Sequence, residues 1–331
     1  MSSDFLSMLF SKSYISALSI VENGKDAPIQ GYIFVENEMD AHFWSKMLPK
    51  NVMSSYSFST GSGDGSVQSG VRGITRFFKN LDKANELSIF AIDADHYFFK
   101  KNIVPEYKEI VENDFIIHTY GYSKESLQNS VENLIDCLDN FKFFHNSDFD
   151  FSIFLTRLSN NLYEPFLRFA YTISKNVPPF SEDEFYKFIT PNAQLPFDES
   201  EYSWGQFALE MDNLIKAIVV DDEHEFMTFI ESTVSIGLNK DNVYLFINGH
   251  VLENNIINPI ISEIKSLLIK KEIARVKDEG LSGKPLEDKA REIKNCFSQK
   301  CCFSTLKNQC YKYKENSLYE LISRQFTIFN K

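Results

Sequence analysis

Two aspartates, Asp93 and Asp95, directly follow an apolar run, Ile89 to Ile92, that predicts a buried strand. Because side chains alternate between the two faces of a strand, both carboxylates should leave the chain on one side while Ala94 points away. Adjacent carboxylates repel each other and are costly to desolvate, so a hard divalent cation such as Mg²⁺ is expected between them. The alternative is a strand that ends in a solvated Asp-x-Asp turn, where aspartate is common.

A third carboxylate, Glu36, follows another predicted strand, Tyr32 to Val35, and precedes a predicted helix from Asp40 to Leu48. In open α/β sheets, ligands bind at the carboxyl ends of the strands. If the two strands are neighbours, Glu36 and the Asp-x-Asp pair converge at one sheet edge and can hold one or two divalent metal ions. Glu36 would then act as a general base or acid, directly or as a ligand of the ion that activates water.

Strands and helices alternate around these residues up to position 138. A helix from Val71 to Leu81 precedes the Asp-x-Asp strand, and a short helix near Glu106 to Glu112 follows it. A strand from Asp114 to Thr119 and a helix from Lys124 to Leu138 come next. This order predicts an α/β fold with a mostly parallel sheet and right-handed crossovers.

Five glycines lie between Gly61 and Gly73, a density that suggests a phosphate-cradling loop. The segment lacks the Gly-Lys-Ser/Thr ending of a P-loop, and its spacing is not that of a dinucleotide-binding loop. A connection between two elements is therefore the favoured interpretation over an ATP site.

The pattern becomes mainly helical after residue 140, which predicts an inserted helical lobe. An apolar run from Val243 to Ile247 then predicts one more strand. Because a lone strand is not stable, this strand is expected to return to the first sheet. The predicted parts are an N-terminal helical segment (1–27), a sheet core (28–140), a helical insertion lobe (141–237), a return strand of the core (238–260) and a helical C-terminal region (261–331).

Composition indicates a globular protein, since 43% of the 331 residues are hydrophobic and 24% are charged. The net charge of −12 argues against sequence-blind duplex binding, although a local basic patch can still hold nucleic acid. Two interpretations, solvated faces or such a patch, apply to Lys100, Lys101 and the run from Lys265 to Lys277. No apolar run approaches the roughly 20 residues that span a bilayer, and the first residues lack signal-peptide features. A cytoplasmic location without membrane contact is the expectation.

Four of the five cysteines, Cys296, Cys301, Cys302 and Cys310, cluster near the C-terminus, while Cys137 stands apart. Four thiolates suit Zn²⁺, but the cluster has no Cys-x-x-Cys pair and the adjacent Cys301 and Cys302 are awkward co-ligands. Reduced thiols are favoured over a zinc site.

Several of these motifs, taken in order, resemble those of a known family of domains. The segment FVENEMD, followed about 55 residues later by IDADH, resembles the TOPRIM domain of topoisomerases, primases and OLD-type nucleases. Its hallmark is a glutamate after the first strand and an Asp-x-Asp after a later one. In addition, YIFVENEMDAHFW, IDADHYF, YGYSKES and INGHVL resemble, in this order, the TOPRIM-like nuclease effectors (AriB-type) of the PARIS anti-phage defence system. The resemblance covers about residues 28–140 and 243–252.

This resemblance implies a TOPRIM-like core and a nuclease that depends on Mg²⁺ or Mn²⁺. It implies a toxin that cuts host RNA, specifically tRNA, when it is released as a homodimer. It also implies an ABC-type ATPase partner (AriA-like) that holds the toxin inactive until a phage is sensed. The alternatives are a DNA nuclease of the OLD type and a non-catalytic TOPRIM-fold subunit of the ATPase complex.

The same resemblance assigns roles to individual residues. Glu36 matches the TOPRIM glutamate, and Asp93 with Asp95 matches the metal-binding pair. Asp40 matches an acidic position one helical turn after the glutamate, in a supporting or helix-capping role.

Three further positions of the resemblance have less specific roles. Glu125 matches a supporting position, or interacts with a helix macrodipole in the first turn. His250 matches another supporting position, or caps or packs against its helix. Asn37 stands where TOPRIM domains usually have glycine, and the turn is expected to survive because asparagine tolerates positive φ.

Overall fold

The structure, a computed structural model, describes residues 8, 10–25, 28–60, 83–141, 149–198 and 200–330. The predicted loop at Gly61 to Gly73 and the predicted helix from Val71 to Leu81 lie outside these residues. The chain divides into two units. A sheet unit contains Met1–Lys124, Ile173–Val177 and Ser317–Lys331, and a helical unit contains Glu125–Thr172 and Pro178–Asn316.

In the described residues, the sheet unit has four strands that all run parallel, which confirms the predicted α/β class and the parallel sheet. The strands are β1 (Gly31–Phe34), β2 (Tyr56–Ser59), β3 (Ser88–Ile92) and β4 (Ile116–His118). Their spatial order is β2-β1-β3-β4. The edge strand β2 was not predicted, because its serine-rich sequence was interpreted as part of a connection.

Helices make up most of the remaining described chain. None of those in the described residues has both the length and the apolar character that a membrane-spanning helix needs. They are α1 (Lys12–Asn23), α2 (Glu38–Met47), α3 (Tyr97–Lys100), α4 (Pro105–Glu112), α5 (Lys124–Gln128), α6 (Val131–Asp139), α7 (Phe151–Ser174), α8 (Glu182–Ile189), α9 (Glu201–Ala217), α10 (Glu223–Val234), α11 (Gly249–Val251), α12 (Asn258–Asp278), α13 (Gly283–Gln299), α14 (Phe303–Gln309) and α15 (Ser317–Gln325). A π-helical segment, Leu252–Ile257, joins α11 to α12.

An aromatic cluster forms the core on one face of the sheet. Phe10 packs edge-on against Phe34, with 4.8 Å between ring centroids, and Phe34 lies 5.3 Å from Phe90. Such pairs stabilise a core beyond the area they bury. The cluster also includes Tyr97, whose ring packs 4.8 Å from that of Tyr107. The core therefore continues directly to the segment that follows the Asp-x-Asp pair.

The last helix of the chain, α15, completes the edge of the sheet at β4. The side-chain amide of Gln325 donates to the His118 carbonyl (3.0 Å), and its oxygen accepts from the His118 N–H (2.9 Å). This pairing satisfies the backbone groups that an edge strand would otherwise expose. Residues 317–331 consequently belong to the sheet unit rather than to a C-terminal region that begins at residue 261.

His118 should make the stability of the sheet unit depend on pH. Burial lowers the pKa of its imidazole to about 4, and Nε2–H donates to the Ile110 carbonyl (3.0 Å). The unfolded chain binds this proton near pH 6.5, so the folded state should lose stability as pH falls from 6.5 to 4, by about 3 kcal/mol. Urea unfolding at pH 7 and pH 4.5 measures the loss. His118→Gln, which keeps a donor for Ile110, should show a smaller loss; an equal loss in both proteins would contradict the assignment.

The predicted return strand at Val243 to Ile247 is wrong. Val243–Leu245 is a turn of 3₁₀-helix in the helical unit, and all five residues of the apolar run are buried. The backbone bonds locally, as the Phe246 N–H donates to the Val243 carbonyl (2.8 Å), and the Tyr244 N–H reaches the Ser159 hydroxyl (3.2 Å). A short buried apolar run cannot be distinguished from a strand by periodicity alone.

The predicted helix from Lys124 to Leu138 is interrupted and forms α5 and α6. Two asparagine amides at the break bind helix carbonyls: Asn129 Nδ2 donates to the Glu125 carbonyl (2.8 Å) and Asn133 Nδ2 to that of Gln128 (2.7 Å). Side-chain bonds of this kind compete with the helical ladder. The division between the two units falls at residue 124, earlier than the predicted boundary at 140.

Candidate active site

The pairing of β1 with β3 brings the predicted carboxylates to one edge of the sheet. Phe34 lies opposite Phe90. Continuing this register by two residues places Glu36 beside Ile92, one position before Asp93, on strands about 4.8 Å apart. The expectation that the glutamate strand and the Asp-x-Asp strand are neighbours is therefore confirmed.

The Asp-x-Asp segment departs from an extended strand after Ile92. Ala94 is buried while Asp93 and Asp95 are half-buried, which agrees with the predicted alternation. However, Asp95 has a φ of 41° and lies in the left-handed region, so the backbone turns sharply at this point. Non-glycine residues rarely adopt this conformation, and aspartate is among the more tolerant types. Backbone strain of this kind concentrates at functional sites.

The loop after β4, which carries the YGYSKES sequence, holds this turn in place. The Asp95 N–H donates to the Tyr122 carbonyl (2.7 Å), and the Ala94 N–H donates to Thr119 Oγ1 (3.0 Å). The Thr119 hydroxyl in turn donates to the Gly121 carbonyl (2.8 Å). Three hydrogen bonds thus fix the backbone from which both aspartates project.

A capping box orders the chain directly after Glu36. Asn37 is the N-cap of α2: its side-chain oxygen accepts from the Asp40 N–H (3.1 Å), and Asp40 Oδ2 accepts from the Asn37 N–H (3.1 Å). Asn37 has a φ of −153°, so the expectation of positive φ at this residue is wrong. The cap is Asn37 rather than Asp40, and Asp40 closes the box from the third helical position.

Lys124 links this capping box to the Asp-x-Asp pair. Its backbone N–H donates to Asp93 Oδ1 (2.9 Å), and its ammonium forms an ion pair with the Asp40 carboxylate. Both paired side chains are largely buried, with exposures of 14% for Lys124 and 10% for Asp40. The backbone of Lys124 therefore orients Asp93, a predicted metal ligand. Its ammonium neutralises Asp40, which follows Glu36, another predicted ligand, by four residues.

Two of the predicted site residues influence the hydroxyl of Tyr97. Burial, followed by the negative charges of Asp95 and Glu36, raises the pKa of its hydroxyl above the ordinary range. The phenol therefore stays protonated and can donate its hydrogen bond to the Asp95 carboxylate. Asp95 therefore interacts with this hydroxyl directly, through a hydrogen bond, and Glu36 acts on it through its charge.

Replacing Tyr97 by Phe should weaken the site without unfolding the protein. Phenylalanine keeps the ring in the aromatic core and removes only the donor to Asp95. A hydrogen bond to a charged group contributes about 1.5 kcal/mol or more, so a reaction that uses Asp95 should slow about tenfold. The cleavage rate with and without added metal, together with a thermal melt, measures both effects. An unchanged rate would show that Tyr97 serves only the core.

Sequence reasoning missed Tyr97 and gave Lys124 no role. Tyr97 lies inside the motif IDADHYF, and Lys124 lies inside YGYSKES. A tyrosine among phenylalanines, two residues after an aspartate, was the available signal for Tyr97. The partner of Lys124 lies 84 residues earlier in the chain, and no local pattern indicates such a pair.

Glu125 and His250 belong to the helical unit, whereas the carboxylates described above all belong to the sheet unit. Glu125 lies in the first turn of α5 and is half-buried. His250 is exposed at the start of α11, where Asn248 is the cap and accepts from the His250 N–H (3.0 Å). Their predicted supporting roles stay predictions.

The donor set at the sheet edge suits a hard divalent cation, because Glu36, Asp93 and Asp95 offer only carboxylate oxygens. Within the described residues, no three His, Cys, Asp or Glu side chains form a ready metal-binding cluster. Asp93 accepts a hydrogen bond from the Lys124 backbone, and Asp95 accepts one from Tyr97. Glu36, Asp93 and Asp95 are the side chains that would hold Mg²⁺ or Mn²⁺ at this edge, and this stays a prediction.

Comparisons with known proteins add no assignment to this geometry. No family model, no curated protein and no solved structure matches the chain. The chemical interpretation of the sheet edge therefore depends on its residues.

Proposed function

We propose that this protein is a metal-dependent endonuclease of the TOPRIM type that cuts RNA, with tRNA as the substrate class. The observation that carries the proposal is the parallel pairing of β1 with β3, because it brings the ends of the strands that lead to Glu36 and to Asp93 and Asp95 to one edge of the sheet. Three carboxylates at the ends of adjacent strands are the kind of ligand set that phosphodiester hydrolysis with Mg²⁺ uses.

In this mechanism Glu36, Asp93 and Asp95 would hold Mg²⁺ or Mn²⁺, which would neutralise charge on the scissile phosphate and make a bound water more acidic. Glu36 accepts the proton of the attacking water or hydroxyl. Tyr97 keeps Asp95 oriented through its hydroxyl, and the Lys124 backbone does the same for Asp93. The oxygen that leaves phosphorus is protonated by solvent.

The positions and charges of Lys100 and Lys101 are an argument for a polyanionic substrate. They follow the Asp-x-Asp loop by five and six residues, at the end of α3, and both are partly exposed. Local positive charge of this kind attracts phosphates despite the net charge of −12. The choice of tRNA, a cytoplasmic role in anti-phage defence, an active homodimer and an ABC-type ATPase partner (AriA-like) are proposed from the motif resemblance.

The decisive experiment incubates the purified protein with Mg²⁺ and either end-labelled tRNA or supercoiled plasmid. The proposal expects defined tRNA fragments that disappear with EDTA and are absent for an Asp93→Asn/Asp95→Asn protein purified in the same way. Cleavage of the plasmid alone would indicate a DNA nuclease of the OLD type. If neither substrate is cut with Mg²⁺ or Mn²⁺, a non-catalytic subunit is the correct interpretation.

A further inference from the structure

Two consecutive helices of the helical unit expose large apolar side chains on their outer sides. On α9, Tyr202 is 76% and Leu209 50% exposed, and on α10, Met227 is 54% and Val234 64% exposed. Each pair is seven residues apart, so each lies along one face of its helix. Exposed apolar groups that line up in this way, rather than standing singly, mark interaction surfaces.

Both helices pack against the same side of the long helix α7. Arg157 of α7 pairs with Glu201 (2.9 Å) at the start of α9, and Tyr171 of α7 contacts the Phe226 ring of α10 (5.4 Å between centroids). Residues 157 and 171 are two heptads apart, which places them on one side of α7 about 21 Å apart along its axis. The outer faces of α9 and α10 therefore belong to one side of the helical unit.

The stretch of sequence that contains α9 and α10 is strongly acidic. Residues 198–234 contain ten acidic residues and one basic residue, Lys216, while the net charge of all 331 residues is −12. Glu210, Asp212, Glu223 and Glu231 are among the acidic residues that are exposed. We call this surface the acidic face; it consists of the exposed residues of α9 and α10 and of the connection between these helices.

We propose that the acidic face docks a basic amphipathic helix of a partner protein, with Lys or Arg around an apolar stripe. Opposite charge would steer the encounter, and Tyr202, Leu209, Met227 and Val234 would supply the buried anchors. Nucleic acids and anionic membranes carry the wrong charge. A second copy bound through the same face would bring like charges together. The inference stands whether or not the sheet unit is a nuclease.

A defined probe tests this surface. The probe is a fluorescent 18-residue amphipathic peptide of Lys and Leu, titrated against the full chain at physiological salt and followed by anisotropy. Two matched peptides replace either all Lys by Glu or all Leu by Ser. The proposal expects saturable binding of the Lys/Leu peptide only. Equal binding of the Lys/Ser peptide would overturn it, because charge alone would then suffice.

Variants locate the binding surface. Glu210→Lys/Asp212→Lys/Glu223→Lys/Glu231→Lys and, separately, Leu209→Ser/Met227→Ser should each weaken the Lys/Leu peptide at least tenfold. The control Glu106→Lys/Glu109→Lys changes exposed residues of α4 and should have little effect. Photo-crosslinking of the peptide to the wild-type chain should label residues 202–234, which keeps the test independent of variant folding. Labels elsewhere, or equal weakening by the control, would overturn the proposal.

Discussion

Glu36→Gln is expected to lower Mg²⁺-dependent RNA cleavage about 10³-fold while leaving the fold intact. Glutamine has nearly the same shape but cannot accept the proton of the nucleophile and is a weaker metal ligand. Glu36 is partly exposed at the end of β1, outside the aromatic core, so the melting temperature should change little. Single-turnover cleavage at saturating Mg²⁺ measures the chemical step separately from substrate binding.

A matched control separates this effect from a general loss of negative charge. Glu109→Gln removes an exposed carboxylate of the same unit, on α4, and should cleave at the wild-type rate. Raising the Mg²⁺ concentration then distinguishes two roles of Glu36. Recovery at high Mg²⁺ would indicate a lost ligand, and no recovery would indicate a lost base. Wild-type cleavage by Glu36→Gln would remove the glutamate from the mechanism.

The placement of Glu36 and the Asp-x-Asp pair was predictable because it follows from short-range rules. Apolar runs that end in acidic residues indicate strand ends, and parallel strands bring those ends to one edge. An alternation of strands and helices predicts the parallel sheet, and the pairing of Phe34 with Phe90 brings the strand ends that precede Glu36 and Asp93 side by side. Each of these predictions depends only on residues that are close together in the sequence.

What escaped prediction depends on partners that are distant in the sequence. β2 is a strand because β1 pairs with it, although its serines favour a connection. The sequence from Val243 to Ile247 predicts a strand. In the structure its backbone lies in the helical unit, where it forms local hydrogen bonds and one bond to Ser159, more than 80 residues earlier in the chain. Tyr97 and Lys124 acquire their roles only after the fold brings Asp95 and Asp40 to them.

Lys124→Met is expected to destabilise the protein by about 3–5 kcal/mol, the range for breaking a buried ion pair from one side. The Asp40 carboxylate would lose the ammonium while remaining only 10% exposed. Methionine keeps the length and apolar stem of lysine. It also keeps the backbone N–H that donates to Asp93, so the variant removes the ammonium and leaves that backbone bond in place. Urea unfolding at pH 7 measures the change in the free energy of unfolding.

The double variant Lys124→Met/Asp40→Asn completes a mutant cycle with the two single variants. Asparagine at position 40 removes the buried charge and still offers an oxygen to the Asn37 N–H, so the capping box can close. The double variant should therefore be more stable than Lys124→Met, since no uncompensated carboxylate remains. A loss below about 1 kcal/mol for Lys124→Met would show that the pair behaves like a solvated surface pair. Lys124 would then contribute to the site only through its backbone bond to Asp93.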